Sequence, residues 1–149
     1  MVSYYPMSHK ANFISCSGHG GTTTAEYTAR TIPGRICAAL RNHAPLLGTD
    51  SINDKYHERI SALLLEEIET FDREIGEAVI ALCKKPKKLT EGQARDIVEK
   101  HSEVLGRAYH GTTLTLAVVN RTREDLWVAG VGDSTVGEFG QIALPDKDS

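Results

Sequence analysis

Between Ser51 and Cys83 the apolar residues fall at Ile52, Tyr56, Ile60, Leu63, Leu64, Ile68, Phe71, Ile75, Val79 and Leu82. Steps of three and four sustained over that length match the turn of an α-helix and predict a long amphipathic helix, capped by Asp50 or Ser51. Its apolar stripe has to be buried against another layer, which the rest of the chain must supply. The other face carries Glu66, Glu67, Glu69, Asp72, Arg73 and Glu74 and reads as a solvated surface. A carboxylate-bridged metal bundle is not indicated, because no Glu-x-x-His pair accompanies these acids.

The second constraint is the stretch from Gly111 to Gly137. Thr113 to Val119 is a run of Thr, Leu and Val without polar interruption, which predicts a strand buried on both faces. Asn120 to Asp125 supplies a polar turn and Leu126 to Val131 resumes the apolar pattern, so an antiparallel hairpin is expected. The second strand stops at Gly132-Asp133-Ser134. Asp133 reads either as an ordinary turn aspartate or as a ligand, since a carboxylate at a buried strand end needs a partner or a metal.

Upstream, residues 1 to 9 read as an irregular arm, and Ala11 to Cys16 as a central strand. That strand runs into Ser17-Gly18-His19-Gly20-Gly21 and then Thr22-Thr23-Thr24. Strand, glycine-rich turn and a capping Thr form a layout that exposes backbone groups to a ligand. The spacing matches neither a P-loop nor a dinucleotide fingerprint. His19 is open to two readings, a structural histidine or a proton donor. Thr22 to Thr31 predicts a helix, interrupted at Pro33, with a second helix through Leu40. Lys84 to Lys88 reads as a solvated basic linker. Thr90 and Gln93 form a capping box for one helix through Ala108, and Gly137 to Leu144 is a further short strand candidate.

A chain of 149 residues fits a single domain, 1–149, of α+β class. The net charge of -3 gives no support to a nucleic-acid partner. Cys16, Cys37 and Cys83 are widely spaced in apolar contexts and read as reduced thiols of a cytoplasmic protein. No targeting signal is read in MVSYYPMSHK, and no run of apolar residues reaches membrane-spanning length.

Three motifs together carry a resemblance. Ser17-Gly18-His19-Gly20-Gly21 after a strand, Gly111-Thr112-Thr113 opening a strand, and Val128 to Ser134 at a strand's end are similar, in this order, to the FDGHGG, GSTA and ANVGDSR motifs. Those belong to the metal-dependent PPM-type protein phosphatases, the protein phosphatase 2C family. The likeness covers about residues 11 to 140, and the long helical segment between motifs resembles the fungal and pyruvate-dehydrogenase-phosphatase-like branch. It implies a partial α-β-β-α sandwich, antiparallel sheets flanked by long helices, corresponding to the N-terminal half of such a domain. The implied reaction is hydrolysis of phosphoserine or phosphothreonine in a protein substrate by water held between two Mg²⁺ or Mn²⁺ ions. By position, Gly18 would offer a backbone carbonyl to one metal, His19 would be the acid for the leaving alkoxide, and Asp133 would serve an additional metal.

The departures are specific. The family's bridging Asp corresponds to Ser17, a neutral hydroxyl that lacks both the charge and the oxygen pair, so this is a degraded metal position. Residues 1 to 16 contain no Asp or Glu to match the family's upstream acidic pair. Its later Asp-Gly and Asp-Asn ligands have no counterpart. A phosphatase-like protein with a degraded metal site follows, or a non-catalytic pseudophosphatase that binds proteins, with exposed sheet edges favouring oligomers. A GDS-type serine esterase, with Ser134 as nucleophile, is disfavoured: 15 residues follow Ser134 and none is His or Asn.

Overall fold

The computed structural model describes residues 2–7, 10–43, 54–120 and 124–133. Four antiparallel strands form one sheet in the order β1-β2-β3-β4: β1 (Val2–Met7), β2 (Lys10–His19), β3 (Gly111–Asn120) and β4 (Asp125–Val131). Four helices separate β2 from β3: α1 (Thr23–His43), α2 (Asp54–Leu82), α3 (Glu91–Lys100) and α4 (Ser102–Tyr109). The α+β class read from the sequence is therefore observed. Its sheet consists of two hairpins whose inner strands, β2 and β3, pair across the helical excursion, from Lys10↔Asn120 to His19↔Gly111.

The expected irregular arm is in fact β1, paired with β2 from Val2↔Ser15 to Met7↔Lys10. An edge position accommodates Pro6, which has no N–H to give to a second neighbour.

α2 runs for 29 residues, as its periodicity requires; its cap positions lie outside the described residues. Ile60, Leu63, Leu64 and Phe71 are buried, and Tyr56, Ile68 and Ile75 pack beside them. The acidic face is only partly a solvated surface. Arg35 of α1 bridges to Glu67 at 3.3 Å and also holds Glu74, which ties the two helices together.

α1 does not break at Pro33. The helix continues through it, with Ile32, Pro33, Ile36 and Leu40 all buried. An interior proline costs roughly 3 kcal/mol, and the burial on either side of it offsets that. Conversely, the single helix expected after Thr90 is two, because His101 leaves helical geometry (φ -128°, ψ 28°). The capping box is formed in full, with Thr90 Oγ1 accepting from Gln93 N and Gln93 accepting from Thr90 N.

The core lies between the helices and one face of the sheet. Ile14 and Cys16 of β2, Leu114, Leu116 and Val118 of β3 and Trp127 of β4 meet Ala29, Ile32, Ile36 and Leu40 of α1. β3 is not buried on both faces. Its side chains alternate, and Thr113, Thr115, Ala117 and Val119 are only half-buried. On the same open face Leu126 and Val128 of β4 remain 51% and 46% exposed. Thr and Ala at alternate places suit a half-covered surface, so an uninterrupted apolar run overstated the burial. Cys16 and Cys37 are buried and Cys83 is half-buried, with no disulfide among them. Burial pushes the Cys16 thiol up from its ordinary range. The strand candidate Gly137 to Leu144 lies outside the described residues. No helix among the described residues is long and apolar enough to cross a membrane.

Candidate functional site

The Ser17-Gly18-His19 segment is not a loop but the last three residues of β2, paired with Thr113, Thr112 and Gly111 in turn. The chain leaves the sheet at Gly20, whose φ of 78° lies in the left-handed region. It then folds back so tightly that a Cβ on Gly18 would sit 2.1 Å from the Gly21 carbonyl oxygen. Only glycine at position 18 allows this return. α1 starts immediately afterwards, with Glu26 N donating to Thr22 O at 2.9 Å.

β4 reaches the same end of the sheet from the other side of β3. Its last pair is Leu114↔Val131, after which Gly132 bends away at φ 90°. A Cβ on Gly132 would meet Thr113 Cγ2 at 2.9 Å, so this glycine lies directly beside β3. Ser17–His19, Gly111–Thr113 and Gly132–Asp133 therefore converge, although 94 residues separate Ser17 from Gly111 in the chain. Thr112 links two of the three segments, its Oγ1 donating to Ser17 O at 3.1 Å. Ser17, Gly18, His19 and Asp133 are all exposed. Ser134 lies outside the described residues, so the esterase alternative gains no geometry.

As a metal centre the assembly is poor. Its donors are one carboxylate (Asp133), one imidazole (His19), the hydroxyl of Ser17 and backbone carbonyls. Among the described residues, no group of three His, Cys, Asp or Glu side chains comes together anywhere. Mg²⁺ and Mn²⁺ require several oxygen ligands, chiefly carboxylates, around each ion. The residues present do not fit a dinuclear site.

Behind the glycine turn is a second set of residues that the sequence did not single out. Thr24, buried at the start of α1, donates from Oγ1 to Arg107 O at 2.8 Å and to His110 O at 2.7 Å. The single hydroxyl proton is shared between two carbonyls at the end of α4, where no further helical turn can serve them. The His110 ring lies against Gly21, close enough that a Cβ there would fall 2.5 Å from Cε1. The Arg107 guanidinium stacks over Tyr27 at 3.9 Å from the ring centroid and donates to Glu103. That bond holds the Glu103 carboxyl below its usual range. The glycine turn is thus clasped to the α4–β3 junction. Thr24 is one of three consecutive threonines, and nothing in its spacing marks it as the buried one.

A further polar cluster lies at the opposite end of the sheet. His57 Nε2 is 3.8 Å from Asp125 Oδ1, and the rings of Tyr56 and His57 lie 5.6 and 5.5 Å from that of Trp127. Asn120 Nδ2 donates to Tyr56 Oη at 3.3 Å. This cluster is far from the motif residues in register, at the Asn120↔Asp125 end of the β3–β4 hairpin.

Comparison with models of known protein families gives no match, and comparisons with curated proteins and with solved structures give none either.

Proposed function

We propose that the chain is a PPM-type phosphatase-like fold with a degraded metal site, made of one sheet and its helical layer, and that it acts as a protein-binding module without hydrolysing phosphoesters. The observation that supports this reading is the meeting of the three motif segments at one end of the sheet, with Asp133 as their one carboxylate. Chance similarity of three short motifs gives no reason for them to meet in space. Ser17, where the bridging carboxylate would be needed, argues against turnover, as does the lack, among the described residues, of any group of three His, Cys, Asp or Glu side chains able to hold a metal ion.

The open face of the sheet supports the architectural part of the reading. Thr115, Ala117, Val119, Leu126 and Val128 are where a second antiparallel sheet would lie in a two-sheet sandwich. Left uncovered, this face and the edges of the sheet favour association with another protein, including a second copy of the chain. The partner class is a protein, with a phosphoserine- or phosphothreonine-bearing one as the family-like case.

The test is phosphate release from a phosphothreonine peptide with millimolar Mn²⁺ or Mg²⁺. The expected rate equals that of the buffer blank. A metal-dependent rate that saturates with peptide would replace this reading with that of a working phosphatase.

A further inference from the structure

On the helical side of the sheet, α1, α2, α4 and the first residues of β3 border a cavity of about 540 Å³. That volume falls within the range of small-molecule sites, roughly 300–1,000 Å³. Its inner wall is apolar, formed by Ile68, Phe71 and Ile75 of α2 together with Leu114 of β3. Glu69 and Asp72 line it too, and because both are exposed they stand at its mouth. Three residues apart on α2, they share one face of the helix.

Neither carboxylate has a cation to answer it. Arg35 is committed to Glu67 and Glu74, and Arg73 to Glu77, which leaves Glu69 and Asp72 without an ion pair among the described residues. The deeper polar groups offer no site for an anion. Arg107 donates from Nη2 to Glu103 and rests on Tyr27, and its Nε, like His110 Nδ1, is shut away from the cavity. Thr24 and Thr28 spend their hydroxyl protons on carbonyls within the protein, so towards an occupant their oxygens can only accept. An occupant therefore meets apolar walls, acceptors and negative charge.

We infer that this cavity binds a small primary amine in its ammonium form, with an apolar body the size of a medium-length alkyl chain. The body lies on Ile68, Phe71 and Ile75, where removing apolar surface from water supplies most of the affinity. The ammonium stays at the mouth beside Glu69 and Asp72 and keeps part of its hydration, so it escapes the large cost of burying a charge. The cavity makes the site, and the two acids set the charge of what enters it. Pairs this exposed are individually weak, so the discrimination is modest and is screened by salt. The inference stands whether or not the chain engages phosphoproteins.

Octylammonium chloride is the probe, with 1-octanol as its neutral and sodium octanoate as its anionic counterpart. Each is titrated calorimetrically into the full chain at neutral pH, below the concentration at which it self-associates. At low salt octylammonium binds saturably and tighter than octanol by on the order of three- to tenfold, and octanoate is the weakest of the three. Glu69→Gln with Asp72→Asn, two exposed changes, brings the ammonium and the alcohol to the same affinity without abolishing either. Ile75→Trp, which fills the cavity from α2, abolishes binding while the chain still melts cooperatively; should it not melt so, the Glu69 and Asp72 variant decides alone. Equal affinities for the ammonium and the alcohol in the parent chain, a preference that persists in the double variant, binding that survives Ile75→Trp, or no saturable binding by the folded chain would each overturn the inference.

Discussion

Replacing Gly18 by Ala probes the turn on which the motif end of the sheet depends. The added Cβ would lie 2.1 Å from Gly21 O, 3.1 Å from Gly21 C and 3.2 Å from Thr22 Cα. An ordinary carbon–oxygen contact is about 3.3 Å or more, so the turn must open by roughly 1.2 Å. Every atom in the way is backbone, so no side chain can rotate aside. The turn is also held on its far side, where the His110 ring rests on Gly21 and Thr22 O accepts the first hydrogen bond of α1. Overpacking of this kind costs about 1–3 kcal/mol. With about 2.1 cal/mol/K of unfolding entropy per residue, a chain of 149 residues loses about 3 °C of Tm per kcal/mol, so the melt should fall by about 3–10 °C. The control is Gly76→Ala in α2, where an added Cβ meets nothing within 4 Å. There the gain in helix propensity should stabilise by about 0.5–1 kcal/mol. Thermal melts followed by circular dichroism at 222 nm, an ordinary helix wavelength, compare the three proteins. A Gly18→Ala variant that melts with or above the parent would refute the account of the turn.

Two further perturbations test the joints between elements. Thr24→Val keeps the shape of a residue only 6% exposed but removes the hydroxyl that serves Arg107 O and His110 O. It should destabilise by about 1–3 kcal/mol in a urea titration, and an unchanged midpoint would mean that the clasp does not matter. Glu74 is held below the ordinary glutamate pKa of 4.5, chiefly by its hydrogen bond from Arg35. A carboxyl whose folded pKa is depressed contributes stability above its unfolded pKa and loses it as pH falls through the lower folded value. Glu74→Gln should therefore melt below the parent at neutral pH, and the gap should close as the pH is taken below 4.5. A gap that stays constant down to acid pH would show that the pair contributes no pH-dependent stability.

The elements legible in the sequence were those set by local rules. The stripe of α2 depends on a 3.6-residue period that no distant contact has to supply, and the Thr90–Gln93 box depends on three residues. The β3–β4 hairpin was equally local. What was missed depended on the tertiary fold. β1 exists only because β2 is beside it, and α1 stays whole through Pro33 because Ile32 and Ile36 are buried on either side of the proline. The one-sided burial of β3 depends on which layers are present, which an apolar run cannot reveal. At the site, Ser17, Gly18, His19, Thr112 and Asp133 stood out as motifs, but their meeting follows from the β2–β3 register. Thr24, Arg107 and His110 carried no signal, since a buried threonine hydroxyl reads like any other and a histidine at a helix end reads as a cap.

Among the described residues, the motif end of the sheet offers too few carboxylate ligands for a catalytic metal pair. The most direct test is a thermal melt of the chain with and without millimolar Mn²⁺. An ion present at about 100 times its Kd would stabilise by about 2.7 kcal/mol, which for this size of chain is a rise of about 8 °C. The account predicts a cooperative transition at the same temperature in both samples. A rise of that size that disappears in Asp133→Ala would contradict it, because it would place a tightly held metal at the one carboxylate the motifs retain.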